Sequence, residues 1–337
     1  MKHSELRQNP ATKEWVVIAP ERPAIEPAIV EAGPAFDREC PFCPGNEHMT
    51  PPDLLRVPRG ALESDWQIRV IPDKFAVLRP EIRPVKQGGF FRSIGGFGHH
   101  EIVIEHPTHN LEMSDMAVDH IFKVLKVYRT RQRELSRDSN VRFVTIFRQH
   151  GKEAGATFSH PHSQIIATAV VPDLIRRKQE ISKAYSGMTQ RTLFSDIWEA
   201  ESSSERLIEK DEIMTAFVPF AAAVPYEMWI MPREPHPSYS LASDHDLQGL
   251  AGILQRCLLR LRHCCGNVAF SYIIYSSAVG EEGPYFQWHL QIMPRLVRPS
   301  GIELGPHVWI NPMLPEESAR RLREAGAALK FPLRVAV

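Results

Sequence analysis

His160-Pro161-His162-Ser163-Gln164 holds the densest chemistry in this sequence. Side chains two apart on an extended strand leave from the same face, so His160, His162 and Gln164 are presented together. Pro161 disfavours a helical His160 and supports the extended reading. Just upstream, a glycine-containing loop (Gly155-Ala156-Thr157) offers backbone N–H groups of the kind that cradle anions. A neutral imidazole nucleophile, an amide for a non-bridging oxygen and backbone donors for developing charge make a site for phosphorus chemistry. Two histidines on an edge strand can also do no more than bond to neighbouring carbonyls. The glycine loop, the trailing Gln and a second His-x-Gln at His289 and Gln291 favour the reactive reading.

Cys40-Pro41-Phe42-Cys43 is the second cluster with chemistry in it. In a chain of this size the spacing suggests a metal or redox site rather than a disulfide framework. The other three of the five cysteines, Cys257, Cys264 and Cys265, lie in and just after an apolar helical run from Leu250 to Leu261 and read as packing residues.

The elements that must position these groups occur in one order, twice. In the first copy the strand Glu101–Ile104 leads to Pro107 and His109, a helix runs from about Ser114 to Leu135, and the strand Val141–Phe147, the loop Gly151–Thr157 and the strand His160–Ala167 follow. In the second, Glu227–Ile230 leads to Pro232 and His236; a helix spans about Asp244 to Arg262, and the strands Phe270–Tyr275 and Gln287–Met293 close the unit. Setting His162 on His289 also sets Gln164 on Gln291. The fold expected is therefore α+β, two copies of a module with a mostly antiparallel sheet and packed helices, divided as 1–185 and 186–337, with a connector from about Val170 to Glu209.

The 337 residues carry 40 Lys plus Arg against 40 Asp plus Glu, a balance that argues against a nucleic-acid partner and a polybasic membrane anchor. A hydrophobic share of 43% is ample for a packed core. No apolar run approaches a membrane span and the N-terminus lacks a signal-peptide core, so a cytoplasmic protein with small-molecule partners is expected.

These motifs resemble the histidine-triad superfamily, and within it the galactose-1-phosphate uridylyltransferase family. The resemblance rests on His160-Pro161-His162-Ser163-Gln164, Cys40-Pro41-Phe42-Cys43-Pro44-Gly45-Asn46-Glu47, the opening Leu6-Arg7-Gln8-Asn9-Pro10 with Trp15-Val16-Val17-Ile18-Ala19-Pro20, and Trp288-His289-Leu290-Gln291 with Trp309-Ile310-Asn311-Pro312. It covers nearly the whole chain. It implies that His162 attacks the α-phosphorus of a nucleotide sugar, becomes nucleotidylated and passes the group to a sugar 1-phosphate or phosphate, with ping-pong kinetics. Gln164 would hold the phosphoryl oxygens without titrating. Phe75, Gln149, Gly155, Ala156 and Thr157 map to the nucleotide pocket, and so does Asp73, which stands where the family commonly has Asn and reads equally as a nucleoside contact or an exposed loop residue; His289 and Gln291 map to the second half's pocket or packing. The resemblance further implies one structural zinc on Cys40, Cys43, His109 and His160, and a homodimer with sites shared between subunits. Iron suits the same ligands.

The sequence departs from that pattern in three further places. A second metal found in some relatives would need ligands where Thr192, Ser195, His236 and Gln287 stand; three of the four are lost and only His236 is kept, so none is expected there. Of an arginine pair thought to reach the neighbouring subunit's phosphates, Arg22 is kept and Ile25 replaces the other. The hexose-binding stretch is replaced by Ser300–Gly305, closer to relatives that include an ADP-glucose phosphorylase. Transfer of UMP between UDP-glucose and a hexose 1-phosphate is the leading expectation. An adenylyl-transferring phosphorylase acting on ADP-sugars or dinucleoside polyphosphates, or a catalytically silent nucleotide-binding module, are the alternatives.

Overall fold

The computed structural model describes residues 3–23, 28–31, 33–58 and 65–330; Ala24 and Ile25 of the arginine segment lie outside them. A hairpin of β1 (Glu5–Gln8) and β2 (Trp15–Ile18) opens the chain. β3 (Leu55–Pro58), β4 (Trp66–Pro72), the short pair β5 (Lys86–Gln87) and β6 (Ser93–Ile94), β7 (Gly98–Ile104), helix α1 (Val118–Leu135), β8 (Phe143–His150) and β9 (His162–Thr168) follow. α2 (Asp173–Thr189) and α3 (Leu193–Glu201) lead to β10 (Leu207–Lys210), β11 (Met214–Phe217), β12 (Met228–Pro232), α4 (Asp244–Cys265), β13 (Phe270–Tyr275) and β14 (His289–Pro294). α5 (Gly301–Leu304), β15 (Trp309–Asn311) and α6 (Pro315–Ala328) close the described chain.

Ten of these strands form one antiparallel sheet in the order β10-β11-β12-β14-β13-β8-β9-β7-β4-β3. Five come from each half, and the seam is β8 against β13, with Ser271 opposite Gln149 and Tyr272 opposite Arg148. Read outward from that seam the order is the same on both sides, so β9 and β14 occupy equivalent places. The two modules thus share a single sheet.

Strand alternation decides which face each residue takes. Val144, Ile146, Ile165, Ala167, Tyr272, Ile274, Leu290 and Ile292 point to one face and are buried in a core with Ile121, Val124 and Leu125 of α1 and Leu250, Ile253 and Leu254 of α4. These helical residues recur at three- and four-residue spacing, which lays a helix's apolar stripe on a sheet. α4 starts cleanly because Ser243 and Asp246 form a reciprocal capping box. His162, Gln164 and Gln149, and His289 and Gln291, alternate with those core residues and therefore lie on the opposite face. There α2 packs Ile175 on Phe143 and Tyr275.

Two details differ from the sequence reading. The strand expected from His160 begins at His162. Pro161 has no N–H for the ladder, although its carbonyl accepts from the Glu105 N–H at 3.0 Å. Of the three helical cysteines Cys257 is in the core, and Cys264 and Cys265 pack against it while only half-buried at the end of α4.

Candidate active site and metal centre

His162 opens β9 and is nearly fully buried at the wall of a cavity of about 420 Å³, which Gln149, Ala156, Thr157 and Phe158 also line. Its Nδ1 lies 2.8 Å from the His160 carbonyl oxygen. A carbonyl can only accept, so that nitrogen carries the proton and Nε2 keeps its lone pair. Burial pushes the imidazole below its ordinary basicity, so it is neutral at pH 7. Phe42 and Phe158 flank the ring at centroid distances of 5.6 and 6.3 Å and fix its plane.

Gln164 is two residues along on the same face. Its Oε1 lies 2.8 Å from Nε2 of His100, a β7 residue. The Val77 N–H donates to Nδ1 of His100 at 3.4 Å, which leaves the ring proton on Nε2 to be given to Gln164. The amide is thereby oriented with its oxygen held and its NH₂ turned towards Gln149 Oε1, at 3.4 Å. Asp73 approaches the same His100 nitrogen at 3.3 Å.

The glycine loop is built differently from the expected nest. After β8 the chain makes a single turn at Lys152–Ala154, and the N–H groups of Gly155 and Ala156 close it by donating to the carbonyls of Lys152 and Gly151. The first amide beyond the turn without an acceptor among the described residues is that of Thr157. Gly155 serves the site through its conformation: φ is +93°, and a Cβ there would stand 2.6 Å from Nε2 of Gln149, the amide that props the loop through the Ala154 carbonyl.

Under β9, on the helix face, a buried carboxylate holds the strand. Glu105 accepts from the Ser163 hydroxyl, from Tyr128 OH at 2.8 Å and from Arg148 Nε at 3.0 Å. With Tyr128 also 2.9 Å from Tyr272 OH, the strand carrying His162 is tied to α1, β8 and β13 together.

Cys40, Cys43, His109 and His160 are all buried, with their ligand atoms within 4.8 Å of one another. Cys43 Sγ lies 3.4 Å from His109 Nδ1 and 3.7 Å from His160 Nδ1; Cys40 Sγ is 3.8 Å from the latter. A tetrahedral zinc with ordinary Zn–S and Zn–N lengths would separate S from N by about 3.6 Å, so the spacing fits. Both outer imidazole nitrogens are fixed, His109 Nε2 by Ser159 Oγ at 2.9 Å and His160 Nε2 by the His106 carbonyl at 2.7 Å, which turns both Nδ1 atoms inward. Burial pushes the Cys40 thiol up to about 11 and the His160 imidazole down to about 3. A cation held by these four ligands would offset the cost of burying the Cys40 thiolate.

Residues 1–172 match the model of the galactose-1-phosphate uridyl transferase N-terminal domain. The ADP-glucose phosphorylase of Arabidopsis thaliana is 30% identical over 330 residues, covering 95% of this chain and 92% of its own length. The chain belongs to the galactose-1-phosphate uridyl transferase family. A galactose-1-phosphate uridylyltransferase of Thermotoga maritima is 27% identical over 334 residues, 95% of this chain and 98% of the relative. Among solved structures, the Arabidopsis ADP-glucose phosphorylase with bound ADP-glucose aligns at a TM-score of 0.82 and 29% identity, covering 95% of this chain and 99% of that one. A uridylyltransferase structure aligns at 0.77 and 25% identity, covering 97% and 100%. Two thiolates and two imidazoles in this buried cluster form the tetrahedral Cys₂His₂ set that binds zinc.

The remaining residues expected from the family resemblance divide sharply. Asp73 reaches the site through His100, whereas Phe75 projects into solvent, 78% exposed. Arg22 lines a separate cavity with Tyr226, Cys265 and Arg321, away from the His162 cavity of its own chain. In the second half His289 repeats the backbone bond of His162, Nδ1 to the Gln287 carbonyl at 3.1 Å, but its Nε2 is 3.2 Å from the Lys178 ammonium, which can only donate. Its lone pair is therefore taken. Gln291 donates to Glu227 at 2.7 Å. At the positions of the family's second metal, Thr192 and Ser195 cap α3 and Gln287 donates to the Pro232 carbonyl at 2.6 Å.

Sequence reasoning missed Phe42, His100, Glu105 and Arg148. His100 had a signal, since it sits two residues before Ile102, whose backbone lies opposite Gln164 in the β7–β9 ladder; that pairing is invisible until strands are placed.

Proposed function

We propose that this enzyme transfers a nucleotidyl group from a nucleoside diphosphate sugar to a sugar 1-phosphate or phosphate through a covalent nucleotidyl-His162. The observation that carries the proposal is the unoccupied lone pair on His162 Nε2, set by the Nδ1 bond to the His160 carbonyl, beside an amide whose NH₂ makes one long bond to Gln149 and keeps its second N–H for a phosphoryl oxygen. In the first step Nε2 attacks the α-phosphorus, the P–N bond forms, and the bond to the bridging oxygen breaks as the sugar 1-phosphate leaves with the electron pair. In the second, an acceptor phosphate oxygen attacks the same phosphorus and returns the pair to nitrogen. Gln164 and the Thr157 amide hold the non-bridging oxygens, where charge grows in both steps. Gln149 and Gly155 shape the loop, and Asp73 lies at the nucleoside side. The zinc ligands fix His160 and through its carbonyl the tautomer of His162.

UMP transfer between UDP-glucose and a hexose 1-phosphate, as in the uridylyltransferases of the family, is the leading assignment. A specific observation favours ADP-glucose with phosphate as a second: the plant phosphorylase matches at 30% identity and, in its ADP-glucose complex, at a TM-score of 0.82. We further propose that residues 1–185 and 186–337 are the units of the duplication and that the protein works as a homodimer, with the exposed Arg22 serving the partner's phosphates. No helix among the described residues is long and apolar enough to cross a membrane.

Incubation with α-labelled UDP-glucose or ADP-glucose separates the two assignments: the donor that leaves an acid-labile label on the protein, released by hexose 1-phosphate or by phosphate, is the substrate. Labelling is expected to vanish in His162→Asn; equal labelling of that variant would overturn the mechanism.

A further inference from the structure

The second half carries its own cavity on the same face of the sheet, about 660 Å³ and built around a lysine. α2 lays Lys178 across β13 and β14, where the residue is 1% exposed. One N–H of its ammonium goes to Nε2 of His289 at 3.2 Å. The nitrogen stands 3.6 Å over the Tyr275 ring and 5.2 Å from that of Trp229.

No carboxylate among the described residues pairs with this cation. Glu227 is the nearest in effect, yet its oxygens already accept from the Ala223 N–H at 2.6 Å, Trp229 Nε1 at 3.0 Å and Gln291 Nε2 at 2.7 Å. Glu14, which also attracts Lys178 at longer range, pairs with Arg177 at 3.2 Å. A buried ammonium without an acceptor for its remaining protons is costly to keep, and proteins reserve such a group for a ligand or a proton. Burial pushes Lys178 down to about 7, so near neutrality the cavity floor is poised to gain a positive charge when an anion arrives. The mouth adds Lys13 and Arg177, while Trp15 and Trp309 give it flat apolar walls.

We propose that this cavity binds a phosphate group, free or as the monoester of a small sugar, with Lys178 as its principal donor, and that it is a second ligand site beside the catalytic one. The phosphate supplies the counter-charge missing around Lys178, and Lys13 and Arg177 suit its second negative charge. On the ester, the sugar ring would lie on the tryptophans and a hydroxyl would meet the Gln291 carbonyl oxygen, whose amide nitrogen is already engaged. The site is separate from the chemistry. Three strand spacings, about 14 Å, lie between β9 and β14, and the blocked lone pair of His289 prevents it from acting as a nucleophile.

The test has two arms, each run with inorganic phosphate and with glucose 1-phosphate. Crystals of the wild-type holoprotein soaked with either should show a phosphate group within hydrogen-bond distance of Lys178, and whether both compounds do so tells free phosphate from ester. In calorimetric titrations, Lys178→Met should remove one binding event per chain or weaken it by roughly a hundredfold, while labelling of His162 proceeds at the wild-type rate. Binding at Lys178 should also take up protons at pH 8, read from the dependence of the heat on the buffer's ionisation enthalpy, and the variant should lose that uptake. Glu227, Glu14, Tyr275 and His307 also face the cavity and His289 touches Lys178 from behind it, so the loss in the variant assigns the uptake to Lys178. Phosphate found only beside His162, together with titrations identical in Lys178→Met and wild type, sinks the proposal. Should the variant fail to fold, the crystals decide alone.

Discussion

At the scale of single residues, the site depends on proton positions that neighbours impose. His162 was legible in the sequence because His-Pro-His-x-Gln compresses nucleophile, strand and amide into five residues. The direction in which Gln164 points its amide was not, because it is set by His100, 64 residues earlier in the chain and opposite only once β7 and β9 pair. With its Oε1 held by the His100 N–H, the amide is offered NH₂ first, the orientation a phosphoryl oxygen requires. Freed of that bond the amide can flip and present its oxygen to an anion. His100→Ala should therefore lower kcat about a hundredfold with KM within a few-fold, and His100→Gln, which restores an N–H donor, should recover part of the loss. A drop confined to KM, or equal losses in the two variants, would show that His100 serves nucleoside binding or packing instead. Circular dichroism and thermal melting, which should change little, separate either outcome from misfolding.

At the scale of elements, periodicity revealed the existence and type of α1, α4 and the core strands, because each carries an apolar pattern that only one secondary structure can bury, while their ends lie up to four residues from the expected ones, as at Val118 in place of Ser114. The merging of two modules into one sheet was hidden, since the β8–β13 seam joins residues more than a hundred positions apart and leaves no local mark. The loop between β8 and β9 was half legible. Its glycines pointed to an anion nest, but the amides of Gly155 and Ala156 are consumed in closing the turn, and what matters at Gly155 is a φ of +93° with Gln149 packed against it. Gly155→Ala should destabilise the protein by about 1–2 kcal/mol in denaturant unfolding. It should also slow the labelling of His162 by more than that loss explains, because the new methyl displaces the Gln149 amide that faces Gln164. Unchanged labelling in a folded Gly155→Ala protein would remove the loop from the mechanism.

At the scale of the molecule, the metal site joins the cysteine loop to the face of the sheet opposite its main core. Cys40 and Cys43 sit in a small cluster with Phe42, Trp66, Ile71, Ile102 and Ile104, apart from the large core that α1 and α4 make with the sheet. His109 follows β7 and His160 precedes β9, so the four ligands pin the cysteine loop across both strands. Removing the ion should then loosen the loop, Phe42 and the carbonyl of His160, while the ten strands stay folded. Elemental analysis should return close to one zinc per chain; close to two would show that the second half still holds a metal despite Thr192, Ser195 and Gln287, and close to none would refute the centre. After chelation, or in a Cys40→Ser/Cys43→Ser variant, labelling of His162 should fall at least tenfold, a size usual for lost support around a site, while the far-UV spectrum keeps its sheet signal. Added zinc should restore the chelated wild type and leave the variant's labelling at its lowered level. If chelation collapses the sheet signal along with labelling, the ion stabilises the whole fold and not the nucleophile's surroundings alone.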